Sequence, residues 1–101
     1  MITTIVVIDD YIVETLMADL VGHDKMPSAF LVYLYLYTRG RRGVHLSHQD
    51  IANETGLSKS AVQAAIRNLV RRKLLRTERE SITAVPQHFV LRPWRRPRSS
   101  D

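Results

Sequence analysis

Cysteine is absent from this chain of 101 residues. That excludes a disulfide framework and any thiolate metal site, and it fits a reducing, cytoplasmic setting. A long apolar run is also missing. The N-terminal stretch Met1 to Ile8 is apolar but short, carries no basic leader and runs straight into Asp9 and Asp10. It reads as neither a signal peptide nor a membrane span, and no membrane association is expected. No nucleophile elbow, phosphate-cradling glycine loop or internal repeat is found, so no catalytic residue, cofactor or enzyme activity is expected. Basic residues are missing from the first 24 positions, which hold five acids: Asp9, Asp10, Glu14, Asp19 and Asp24.

What is present is a folded-protein composition with a lopsided charge. The apolar fraction of 45% argues against global disorder, and the length suits one compact domain. All 15 Lys and Arg residues lie from position 25 onward against five acids, a local net charge of +10. A basic segment beside an acidic one points to a polyanion-binding part and a part with a different role.

Along the chain, β-branched Thr3 to Ile8 reads as a short extended strand. Ile12, Val13, Leu16, Met17, Leu20 and Val21 follow at helical spacing, and Gly22 is placed to end that helix. Pro27 opens a second helix, apolar nearly all round through Tyr37 and halted at Thr38-Arg39-Gly40. It is the expected core helix, with its tyrosine hydroxyls at the edges. Val44-His45-Leu46 is a short strand candidate. Ser47 precedes His48-Gln49-Asp50 in a capping box, and the helix to Glu54 turns Ile51 and Ala52 inward. Thr55-Gly56-Leu57 is a tight turn, and Ser58 caps a further helix to Lys73 whose buried stripe is Val62, Ala65, Ile66, Leu69 and Val70. Leu74 to Glu78 and His88 to Arg92 read as strands around a loop containing Pro86.

The run from Gln49 to Val62 resembles the helix-turn-helix of bacterial transcriptional regulators, with Ala52, Gly56 and Val62 in the small, glycine and β-branched positions. With the flanking hairpin, residues 27–92 are similar to the winged helix of the MarR and GntR groups and of plasmid-type replication proteins. The resemblance implies a mainly α fold with a small β-hairpin, a three-helix core plus wing, extended here by the N-terminal strand and helix. Three parts are expected: residues 1–24 as a possible dimerisation element, 25–92 as the winged domain, and 93–101 as a basic, flexible tail.

The resemblance also implies that the helix from Ser58 enters the major groove of double-stranded DNA. Its outward positions are Ser58, Lys59, Ser60, Gln63, Ala64 and Arg67, with Arg71 one turn on. Their chemistry suits such docking, since Gln63 can pair with an adenine edge, Arg67 with guanine or phosphate, and Ala64 with a thymine methyl. From Ser58 to Lys73 there is no acidic residue, whereas Lys59, Arg67, Arg71, Arg72 and Lys73 contribute +5. Helices ordinarily place acids in the first turn to complement the macrodipole. An acid-free helix makes sense where phosphates supply the missing charge.

Arg76, Arg79 and His88 are candidate wing contacts to phosphate. Against them stand Glu78 and Glu80, a wing loop without glycine, and Lys73 where a glycine often precedes the first wing strand. The basic turn Arg39, Arg41, Arg42 and the tail Arg95, Arg96, Arg98 read as solvated charge. Trp94 is expected to pack on the domain surface. His45 and His48 lack further ligand types nearby, so no metal site is expected. The readings left open are a homodimeric sequence-specific regulator without a separate effector domain, a plasmid or phage replication protein, and a protein–protein module facing an acidic partner.

Overall fold

The computed structural model describes residues 4–40 and 42–95. Its order is an N-terminal helix in two stretches (Ile12–Leu16 and Ala18–His23), α1 (Pro27–Arg39), β1 (Val44–His45), α2 (His48–Thr55), α3 (Lys59–Arg71), β2 (Leu75–Glu78) and β3 (Gln87–Val90). The strands form one antiparallel sheet in the order β1-β3-β2. In register, Val44 faces His88, and Arg76 faces Phe89. Three helices closed by this sheet make a winged helix-turn-helix, with the N-terminal helix added to it.

Local chemistry accounts for the boundaries. Pro27 occupies the start of α1, where a missing N–H costs nothing. The capping box of α2 is complete: Ser47 Oγ accepts from the Asp50 amide at 3.0 Å, and the Ser47 amide donates to Asp50 Oδ2 at 3.1 Å. Gly56 ends α2 in the left-handed region at φ +81°. Ser58 caps α3 by accepting from the Ala61 amide at 3.1 Å. α3 closes in a Schellman arrangement, with the Leu74 amide donating to the Leu69 carbonyl and the Lys73 amide to that of Val70. Lys73 holds the left-handed position at φ +61°, where glycine is usual.

α1 runs through the centre, packed by the N-terminal helix, α2, α3 and β3. Ala29, Val32, Tyr33 and Leu36 are fully buried on it. The Tyr33 hydroxyl is not at an edge. It lies inside, donating to the Leu91 carbonyl at 2.9 Å, because a buried hydroxyl must find an acceptor.

The N-terminal region departs from the sequence expectation in three ways. Among the described residues of the expected strand, 4–8 form no strand; Thr3 lies outside the described residues. Gly22 does not end the helix, which continues to His23, and the left-handed residue beyond it is Lys25 at φ +53°. The helix is also wound wide, its hydrogen bonds skipping an extra residue: the Met17 amide reaches the Ile12 carbonyl, and Asp24 reaches Asp19. Ile12, Leu16 and Leu20, four apart, are buried together in the core, while Val13, Met17 and Val21 form a second, exposed line.

Two further residues change places. Val70 is exposed, and Asn68 takes the buried position on α3, its amide donating to Asp24 at 3.0 Å. At the start of β1, Gly43 has φ +108°, and a Cβ there would lie 2.5 Å from the Phe89 ring. Only glycine permits β1 to approach the sheet so closely.

Candidate nucleic-acid interface

α3 is anchored by Val62, Ala65, Ile66 and Leu69, all buried. That anchoring turns the opposite side of the helix outward. Ser58, Lys59, Ser60, Arg67 and Arg71 are exposed, and Gln63 and Ala64 are half-buried beside them. At i, i+3 and i+4 spacing these side chains share one face. The Ser58 oxygen accepts the Ala61 amide and lies 3.2 Å from Ser60 Oγ, so the two hydroxyls sit together at the start of the outward face.

The face does not stand alone. A cleft of about 380 Å³ opens between the N-terminal ends of α2 and α3 and the β2–β3 loop, with His48, Lys59, Gln63 and Arg79 among its walls. Arg79 donates to the Ile82 carbonyl at 3.0 Å, so the wing loop curls over its own arginine. Lys59, Gln63 and Arg79 are thereby brought together from positions far apart in the chain.

The other basic positions divide by their partners. Arg72 is withdrawn from the outward charge, since its guanidinium donates to both oxygens of Asp24 at 2.8 and 2.9 Å. Arg72, then Asn68, then His23 hold the Asp24 carboxyl well below the usual carboxylate range. Arg71 contacts the Asn68 side-chain oxygen and stays exposed. Arg76 lies on the outer face of the sheet, its guanidinium 4.2 Å from the Phe89 ring centre and 3.2 Å from Glu78. It is not a wall of the cleft.

His88 is not a surface contact. It is fully buried in the sheet. Its Nε2 lies 2.9 Å from the Leu46 carbonyl, an acceptor only, so Nε2 donates and Nδ1 accepts from the Thr77 hydroxyl at 2.9 Å. Burial lowers its pKa and favours this neutral ring. His48 is the residue that sequence reasoning missed. Its ring is half-buried in the cleft wall, 6.4 Å from that of His88. Burial, followed by the charges of Arg79, Lys59 and Arg67, lowers its pKa. Its place as the first residue of α2, directly after the Ser47 cap, is the signal that could have found it.

Trp94 packs on the surface as expected, its ring stacked on Tyr11 with centres 4.7 Å apart. Its indole N–H donates to Asp9 at 2.9 Å, and Arg95 pairs with the same carboxylate. Arg41, Arg96 and Arg98 lie outside the described residues. Among the described residues no group of three or more His, Asp or Glu is placed to hold a metal ion, and no helix is long and apolar enough to cross a membrane.

No curated protein and no solved structure matches the chain. The family model described as a helix-turn-helix domain matches residues 24–75, from Asp24 through α1, α2 and α3 to the start of β2. That span is just over half of the chain and contains the caps, the Gly56 turn and the outward face of α3, so the protein belongs to the helix-turn-helix domain family.

Proposed function

We propose that the protein binds double-stranded DNA sequence-specifically, as a transcriptional regulator, with α3 in the major groove and Arg79 of the wing beside it. The observation that carries this reading is the acid-free outward face of α3, held rigidly by its buried stripe. Lys59 and Arg67 supply the charge that phosphates need, and Gln63 and Ala64 lie between them where base edges would pass. Family membership supports the same docking mode.

One such helix reads only a few base pairs, which favours two copies on half-sites about one helical turn apart. The exposed line Val13, Met17 and Val21, on the acidic segment that carries no Lys or Arg, is our choice for the homodimer contact.

Fluorescence anisotropy on duplex DNA at several salt concentrations tests the reading. The logarithm of the binding constant should fall with that of salt with a slope of about −0.9 per phosphate contacted. Gln63→Ala should cost about 1–3 kcal/mol on a selected site and little on random sequence. Equal losses on both would remove Gln63 from base reading, and salt-independent binding would remove the DNA reading itself.

A further inference from the structure

The cleft joining α2, α3 and the wing is more specific than a basic surface. Lys59 comes from α3, Arg79 from the wing loop just after β2, and the half-buried imidazole of His48 forms part of the same wall. Ser47, Gln49 and Gln63 add neutral polar groups, while Pro86 and Val85 close the loop side. Such a pocket offers point charges and hydrogen-bond donors around a small space, the chemistry of a phosphodiester oxygen site.

Every charged or titratable group that faces His48 from its neighbours is cationic or neutral. Lys59 and Arg67 face it from α3, and Arg79 from the wing. From β3 comes His88, whose neutral ring is fixed between Thr77 and Leu46. On its own helix, Asp50 is engaged by the Ser47 amide. In the free protein, an added proton on His48 would meet three positive charges and lose water. An anion in the cleft reverses that balance by cancelling the cations and accepting the imidazolium hydrogen bond.

Resting on the DNA reading above, we infer that this cleft holds one backbone phosphate of the duplex, and that His48 takes up a proton to bind it. The proton comes from solvent, resides on the imidazole and leaves when the DNA dissociates; no covalent bond changes. His48 thus joins the interface as a phosphate-binding residue that bridges the helix-turn-helix to the wing. Affinity for DNA of any sequence then rises as the solution becomes more acidic.

The test uses the full chain and one labelled duplex of random sequence, at constant ionic strength, between about pH 8 and about pH 6. Wild-type affinity should rise severalfold across this range, bounded by about tenfold per pH unit for one proton. His48→Gln should show a flat profile, without the rise toward the acidic end and whatever its affinity at the alkaline end, while circular dichroism confirms that it is folded throughout. The C–H resonances of His48 should titrate at a higher pH with the duplex than without it. Equal pH profiles for wild type and His48→Gln, or an unmoved His48 titration, would overturn the inference while leaving DNA binding intact. Absence of duplex binding at every pH would overturn both readings.

Discussion

Asp24 shows how much a single side chain decides in this protein. It accepts from Arg72 twice and from Asn68 once, tying the turn before α1 to the C-terminal end of α3. Its carboxyl is held low chiefly by Arg72, so the ionised form is the one that the fold favours. The stabilisation is present above the unfolded carboxylate value of about 3.9 and is lost as the pH falls through the lower folded value. Asp24→Asn should therefore cost about 1–3 kcal/mol near neutrality in urea unfolding and leave a smaller acid-dependent loss than wild type. An identical acid profile would show that Asp24 carries no such linkage.

Asp9 is held down to about 2, first by its bond to Arg95, and works with the same sign where the segment before the first helix meets the residues after β3. His88 acts earlier in an acid titration: its folded pKa is lowered, so stability is intact above the unfolded value of about 6.5 and declines as the pH drops below it. Lys73 offers the opposite lesson, since its left-handed φ of +61° is a strain that glycine would not feel. Lys73→Gly should stabilise the protein by about 1 kcal/mol in urea unfolding. A destabilised variant would mean that the Lys73 side chain contributes more than its backbone costs.

Among the elements, the N-terminal helix has two faces with separable roles. Ile12, Leu16 and Leu20 belong to the same buried cluster as α1 and α3. Leu20→Ala should cost about 2–5 kcal/mol, as for other buried leucines cut back to a methyl group. Met17→Asp, on the exposed line, should leave the unfolding midpoint nearly unchanged. If the homodimer forms there, light scattering should show that variant as a monomer and wild type as a dimer at the same concentration. A wild-type monomer would end the dimer proposal.

The elements also separate what local chemistry reveals from what it does not. The caps at Ser47 and Ser58, the Gly56 turn and the Pro27 start each depend on a few adjacent residues, so all are legible in the amino-acid sequence. The buried stripe of α3 is legible except at one position. Periodicity alone puts Val70 inward, whereas Asn68 goes in because Asp24 and Arg71 meet its amide. The pairing of Asp24 with Arg72, and of Tyr33 with Leu91, spans the chain and leaves no local trace. The wide winding of the first helix is equally hidden, since both of its apolar lines fit an ordinary helical pattern.

Across the whole molecule, the charge asymmetry along the chain becomes a spatial one. The acids of the first segment are partly consumed inside the fold: Asp24 by Arg72, and Asp9 by Arg95 and Trp94. Of the cations left outward, Lys59, Arg67 and Arg79 lie where α3 and the wing approach each other. Of the ten residues expected to touch DNA, seven lie along α3 and its cap, Arg79 shares the cleft with Lys59 and Gln63, and His88 is buried in the sheet. Arg76 is turned to the far side of the sheet by Phe89 and Glu78. Arg76 stands opposite Phe89 within β2, whereas Arg79, three residues on and past the end of the strand, belongs to the wing loop.

Whether the outward face of α3 meets DNA can be read residue by residue from NMR chemical-shift changes during titration with a duplex. The largest changes should run from Ser58 to Arg71 and through the wing from Arg79 to Pro86, with the N-terminal helix little affected by the DNA itself. Changes confined to the N-terminal helix, or none along α3 at saturating duplex, would contradict it.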